Sequence, residues 1–332
     1  MARYATIIGT GRYLPDWKEV TNDELRARWD ERFPGVVDKW EESTGILRRW
    51  YAPRDWATSD IAVRAAQAAL DDAGIKPEDV DLILLGTDTP DYVTPATSVV
   101  VQHKLGAVNA GTFDIGCACA SFPTGLSAAA GYIATNQAYR YVLVIGVYMM
   151  SKFADPMDPV AFIYGDGAGA AVLAADDKPG FVSSAFLSDG SYYDYWGIFV
   201  GGAAEPVTHK AIDEGRHQVR RLKLYPPEVN HVGWPKIVRT MAERGRFALE
   251  DIDLVLFTQV RLPSIKVVME DLGLSLSKTH WIMVDWGYTG SGCLAMCFDD
   301  ARRKGKVKSG DLVLFVGSGV GYNQAGAAFR MP

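Results

Sequence analysis

The chain has 332 residues, 48% of them apolar, and a formal net charge of -6. That is enough for one large or two medium α/β units, and the composition excludes a disordered chain. The negative balance supplies no field for nucleic acid or anionic lipid.

The N-terminal apolar run Met1 to Gly9 is too short for a signal peptide, and no stretch reaches membrane-span length without charge. The pattern predicts a helix from an N-cap at Ser59 to a terminal glycine at Gly74. The continuous apolar run Leu82 to Leu85 predicts a strand covered on both faces. A helical stretch follows at Ser98 to Leu105. The extended run Phe113-Asp-Ile-Gly-Cys-Ala-Cys-Ala-Ser-Phe122 then leads into a buried, small-residue helix spanning about 119–133. From about 190 to 235 the character changes. Tyr192, Tyr193, Tyr195, Trp196 and Phe199 precede a charged stretch, His209 to Lys223. This segment reads either as an insertion over a pocket mouth or as a solvated connection. A helix at Trp234 to Arg244 and a strand at Trp281 to Val284 complete the predicted elements.

Several stretches recur in the same order. Pro77 to Thr87 resembles Leu249 to Gln259, and Asp114-Ile-Gly116 resembles Asp285-Trp-Gly287. Val142 to Gly146 resembles Val313 to Gly317, and Ala168 to Ala171 resembles Ala325 to Ala328. Four matches in register indicate an internal duplication of about 160–170 residues. The halves are placed at 1–175 and 176–332, each with a sheet and packed helices.

The cysteines are Cys117, Cys119, Cys293 and Cys297. Their spacing suits neither a disulfide scaffold nor a zinc knuckle, so no metal is expected and they read as reduced thiols of a cytoplasmic protein. Cys119 falls at the first turn of its helix. Unpaired N–H groups and the macrodipole there favour a thiolate, which makes it a candidate nucleophile. Its other reading is a small apolar filler.

The motifs Val20-Thr-Asn-Asp-Glu-Leu25, Thr44-Gly-Ile46, Gly86-Thr-Asp-Thr-Pro-Asp-Tyr92 and Phe113 to Phe122 carry a family resemblance. So do Gly165 to Leu173, Ser188-Asp-Gly-Ser-Tyr192 and Gly317-Ser-Gly-Val-Gly321. Across nearly its whole length the sequence resembles the thiolase superfamily, and within it the β-ketoacyl-acyl-carrier-protein synthase III family. The resemblance implies a duplicated, five-layered αβαβα thiolase-like fold and a homodimer. It also implies that Cys119 accepts an acyl group from a coenzyme A or acyl-carrier-protein thioester, with no permanently bound cofactor. The Cys119 N–H and the loop carrying Gly319, Val320 and Gly321 would form the oxyanion hole.

Two positions depart from the family. Its His and Asn, which donate to a malonyl carbonyl, match Thr258 and Tyr288 without a gap. Neither is a cation or an efficient base near neutral pH. Losing one such donor costs about 3–4 kcal/mol of transition-state stabilisation, so decarboxylative condensation is expected to be impaired. None of the five histidines is assigned a replacement role; His231 is the one placed near a pocket. Trp40 matches a tryptophan that stacks on adenine, and Lys152 and Arg261 are basic candidates for coenzyme A or the carrier. Ser43 stands where the family has an arginine, and Arg261 and Pro263 where it has Asn and Arg. Three readings follow: acyl transfer without decarboxylation, condensation with Tyr288 and Thr258 as substitute donors, and a non-catalytic subunit of a heteromeric synthase.

Overall fold

The apolar run at 82–85 folds as the strand Leu82–Gly86, with every residue buried. In the computed structural model, which describes residues 3–332, it is an interior strand of a five-stranded sheet. The order is Tyr4–Tyr13, Gly167–Asp176, Tyr141–Tyr148, Leu82–Gly86, Gly111–Ile115. Leu82–Gly86 runs parallel to both its neighbours, and the other two pairings are antiparallel. Parallel strands are buried on both faces, which explains the unbroken apolar run.

The second sheet has the order Leu254–Phe257, Leu312–Gly319, Asn323–Arg330, Phe181–Ser188. Its first pairing is parallel and the next two are antiparallel, so it repeats the connectivity of the first. We propose the duplication as the origin of this shared topology, with the halves meeting at 175/176; the chain leaves the first sheet at Asp176 and enters the second at Phe181.

The counterpart of Gly111–Ile115 is reduced to one bridge between Val255 and Thr279. The strand expected at Trp281 to Val284 does not form, and Met283–Trp286 is a single helical turn. The Ile282 N–H is taken by the Gln259 side-chain oxygen at 2.9 Å, and the Trp286 and Gly287 N–H groups bond back to the carbonyls of Ile282 and Met283. Local turn bonds thus consume donors that a ladder needs.

Helix Thr58–Ala73 packs on the outer face of the first sheet, beside Thr97–Leu105. Its start differs from the expected cap. Ser59 lies buried inside it, and the Asp60 carboxylate accepts the Ala57 N–H at 2.7 Å. Gly74 ends it with φ 67°, in the left-handed region that glycine tolerates. Helix Glu228–Gly245 covers the outer face of the second sheet, beside Leu262–Asp271. Ser121–Thr135 and Cys293–Arg303 lie between the sheets. Buried Gly125, Ala129 and Ala130 let the first of these approach both sheets. The layers are αβαβα, the thiolase-like order expected.

Between 190 and 227 regular structure is sparse. A two-stranded ribbon pairs Trp196–Gly197 with Arg220–Arg221, and a short helix spans His209–Asp213. Residues from Glu228 onward already belong to the outer helix, so the irregular segment is shorter than the expected 190–235.

Candidate active site

Because the central strands run parallel, their carboxyl ends gather at one edge of each sheet, where α/β folds place their sites. Beyond Leu82–Gly86, Gly111–Ile115 and Tyr141–Tyr148 come Asp88, Cys119 and Met150. Beyond Leu254–Phe257 comes Thr258, and Leu312–Gly319 delivers Ser318 and Val320. All six line a single cavity of about 850 Å³, as does Tyr288.

Cys119 sits in a 3-10 turn, Ala118–Ala120, and the α-helix begins only at Ser121. The turn is held from three directions. Ser121 Oγ accepts the Cys117 N–H and donates to the Ile115 carbonyl, both at 3.1 Å. Ser291 Oγ donates to the Ala118 carbonyl at 3.1 Å. Gly319 approaches so closely that a Cβ there would lie 2.3 Å from the Cys117 oxygen and 3.1 Å from the Cys119 nitrogen. Ala118 has φ 49°, a left-handed conformation that costs a non-glycine residue about 1–3 kcal/mol and persists only where neighbours enforce it.

The expected thiolate at a helix end is not what the surroundings favour. Burial, followed by the charges of Asp88 and Cys293, pushes the Cys119 thiol well above its ordinary value. Cys119 precedes the first α-helical residue and is only 4% exposed, so desolvation outweighs the helix end. Opposing this, the Tyr288 hydroxyl donates to Cys119 Sγ. Burial and the same thiol hold the Tyr288 phenol well above its usual range, so at neutral pH it is a donor and not a base. Its backbone is pinned, with N–H on the Ile163 carbonyl at 2.8 Å and the Gly165 N–H on its carbonyl at 3.0 Å. The rings of Tyr148 and Tyr288 are 6.0 Å apart, and Tyr164 accepts the Trp196 indole N–H at 2.8 Å. Thr258 is buried, and its hydroxyl oxygen accepts the Ser318 N–H at 2.8 Å.

The expected binding residues divide. Trp40 and Arg261 line the cavity, and Arg261 Nε donates to the Ser43 carbonyl at 3.2 Å. Lys152 does not line it; its ammonium is turned to the carbonyls of Arg54, at 2.9 Å, and Trp56. His231 lies near a pocket as expected, but not in the lining of this cavity, which it meets through its partner Ser264. It bonds Ser264 at 3.1 Å and lines a separate cleft with Lys236, Arg239 and Asp271. Val320 and Gly321 face the cavity, while Gly319 stands behind it against the Cys119 turn. The Gly321 N–H donates to the Tyr225 hydroxyl at 3.4 Å.

Asp88, Arg221 and Lys39 are among the cavity residues that escaped the sequence reading. Asp88 carried a signal, an acid two positions past a strand end in Gly86-Thr-Asp-Thr-Pro-Asp91. Arg221 carried none. Its guanidinium lies 4.8 Å from the Trp40 ring and 5.7 Å from Trp196, a placement that only the ribbon creates. Among the described residues no three His, Cys, Asp or Glu side chains gather as a metal ion would require. No helix among them is long and apolar enough to cross a membrane.

Residues 113–190 match the family model of 3-oxoacyl-[acyl-carrier-protein] synthase III, and 242–331 match the model of its C-terminal part. A β-ketoacyl-[acyl-carrier-protein] synthase III of Caldanaerobacter subterraneus is 35% identical over 98% of this chain and 97% of its own. One from Methylococcus capsulatus is 34% identical over 99% and 100%. The crystal structure of the Aquifex aeolicus 3-oxoacyl-[acyl-carrier-protein] synthase III superposes with a TM-score of 0.86 at 28% identity, covering 98% of this chain and 99% of that one. The priming β-ketosynthase of the R1128 polyketide pathway gives 0.86 at 29% identity, covering 100% and 97%. With such identity sustained along almost the full chain, and with the fold in common, this protein belongs to the 3-oxoacyl-[acyl-carrier-protein] synthase III family.

Proposed function

We propose that the protein is an acyltransferase in which Cys119 takes an acyl group from a coenzyme A or acyl-carrier thioester and passes it to an acceptor without decarboxylation. The observation that carries this reading is the Tyr288 hydroxyl donating to Cys119 Sγ inside the shared cavity. A donor on the sulfur supports the nucleophile and the leaving thiolate. An enolate needs donors aimed at a carbonyl oxygen, and here one of the two family positions is committed to sulfur. The Cys119 N–H and the 320–321 backbone would hold the tetrahedral oxyanion, with Gly321 exchanging its long bond to Tyr225. Lys39, Arg221 and Arg261 at the lining suit the phosphates of coenzyme A or of a carrier's prosthetic arm. The carrier protein in the relatives' names supports the same substrate class.

Incubation with short and medium acyl-CoAs should add the acyl mass to the peptide containing Cys119, and the Cys119→Ala protein should take none. Absence of the adduct at every chain length, in folded protein, overturns the reading and leaves a non-catalytic subunit. Condensation remains the second reading, because the Thr258 hydroxyl also lines the cavity. A condensed product from a malonyl thioester that disappears in Tyr288→Phe would establish it. Arg221→Ala is expected to raise KM for acyl-CoA about 2–5-fold with little change in kcat, as for one solvent-screened charged contact worth up to about 1 kcal/mol. Lys152→Ala should leave KM unchanged, because that ammonium is turned away; steady-state kinetics on both variants checks the contrast.

A further inference from the structure

A thiol pushed above its ordinary range has to give its proton to an acceptor before it attacks. Tyr288 cannot take it, because its phenol is held protonated and already donates to the sulfur. The cavity lining holds no histidine, its cations are Lys39, Arg221 and Arg261, and Asp88 is its one carboxylate. No hydrogen bond from the described residues engages the Asp88 carboxyl, and burial alone acts on it. Its charge is felt by Cys119 on the 3-10 turn, by Tyr148 at the end of its strand and by Tyr164 beyond the Pro159–Ile163 turn. It is therefore a free carboxylate opening on the same space as the sulfur.

We infer that Asp88 is the proton acceptor for Cys119, the role that the family histidine cannot fill in this chain. The inference rests on the acyl-enzyme reading and supplies its missing base. No direct hydrogen bond joins Asp88 to Sγ, so in acylation the carboxylate takes the thiol proton through one water as Sγ forms its bond to the thioester carbonyl carbon. The tetrahedral oxyanion then collapses, the carbon–sulfur bond to coenzyme A breaks, and the Asp88 carboxylic acid returns the proton to the departing thiolate. In release the carboxylate takes the proton of an alcohol, amine or water that attacks the acyl carbon, and passes it to Cys119 as the acyl–sulfur bond breaks. Atoms and charge balance in both halves with no further reactant.

Burial lifts the Asp88 carboxyl to about 7. Its basic form therefore grows as pH rises through neutrality, and a Cys119 reaction that uses it should accelerate over that range. The groups facing it are the thiol and the Tyr148 and Tyr164 phenols, all pushed upward and neutral there.

The test uses iodoacetamide on the full chain, with Cys119 alkylation followed by peptide mass so that Cys117 is scored separately. Wild-type alkylation is expected to rise through pH about 7, and Asp88→Asn to lose that rise and react about 100-fold more slowly at pH 8, within the usual range for general base catalysis. Formate should restore part of the rate to Asp88→Ala and none to Asp88→Asn, where the cavity stays filled. If Asp88→Asn reacts as fast as wild type or faster, the carboxylate only repels the thiolate and the inference is overturned. Should both variants fail to fold, the wild-type profile decides: an inflection near 7 supports the base, and a profile flat until alkaline pH overturns it. Acyl-CoA separates the two layers of the argument. Wild-type acylation undiminished in Asp88→Asn removes the base and leaves the acyl-enzyme. Absent wild-type acylation with Asp88-dependent alkylation removes the acyl-enzyme and leaves the base.

Discussion

Tyr288→Phe is expected to slow acylation of Cys119 by about 10–100-fold at neutral pH while leaving the fold intact. The substitution deletes one hydroxyl and keeps the ring that packs beside Tyr148. What is lost is the donor to Sγ. A hydrogen bond to an ionised partner is worth about 1.5–3 kcal/mol, and each 1.4 kcal/mol is tenfold in rate. The sign follows from which form the bond favours. Tyr288 stabilises the thiolate, so its loss lets burial and Asp88 push the thiol higher still. Alkylation of Cys119 as a function of pH should therefore shift to higher pH in Tyr288→Phe, and single-turnover acylation should fall with it. An unchanged profile would show that the hydroxyl contributes nothing to the sulfur's ionisation.

Gly319→Ala is expected to destabilise the protein by about 1–3 kcal/mol and to abolish most Cys119 acylation, the usual range for overpacking with the damage concentrated at the nucleophile. The added Cβ would lie 2.3 Å from the Cys117 oxygen, 2.7 Å from the Ala118 Cβ and 3.1 Å from the Cys119 nitrogen. These are main-chain or Cβ atoms with no rotamer to escape into. Relief requires the 3-10 turn to move, and that turn is the one carrying Ala118 at φ 49°. Gly190→Ala is the control, since nothing lies within 4 Å of its added carbon, and it should stay within about 0.5 kcal/mol of wild type. Urea unfolding midpoints compare the two, and mass spectrometry of the Cys119 peptide reads the activity.

Together these predictions separate a nucleophile from its surroundings. The Ala118–Ala120 turn and Gly319 position the sulfur. Tyr288 steadies the thiolate, whereas the Asp88 charge raises the thiol and, by our inference, the same carboxylate accepts its proton. Thr258 and Tyr288 line the same cavity as the sulfur, so they are the side chains to vary when the chemistry after acylation is probed.

The sequence by itself determined the sheet-and-helix content of the chain and the place of Cys119 ahead of its buried helix, and its family resemblance implied the layered architecture. The first two rest on local periodicity and the third on motifs, which a linear chain displays directly. The helix ends were legible where a glycine had to adopt a left-handed conformation, as at Gly74, and misplaced where a side chain three positions into the helix did the capping, as at Asp60. Only the tertiary structure decided the state of the sulfur. Tyr288 reaches Cys119 across 169 residues of chain, and the burial that raises the thiol comes with packing of its turn against Leu312–Gly319 and Asn323–Arg330. It also turned Lys152 away toward the Arg54 and Trp56 carbonyls and brought Arg221 over Trp40. A charge's direction and a thiol's solvation depend on which distant segments surround them, and no local pattern records that.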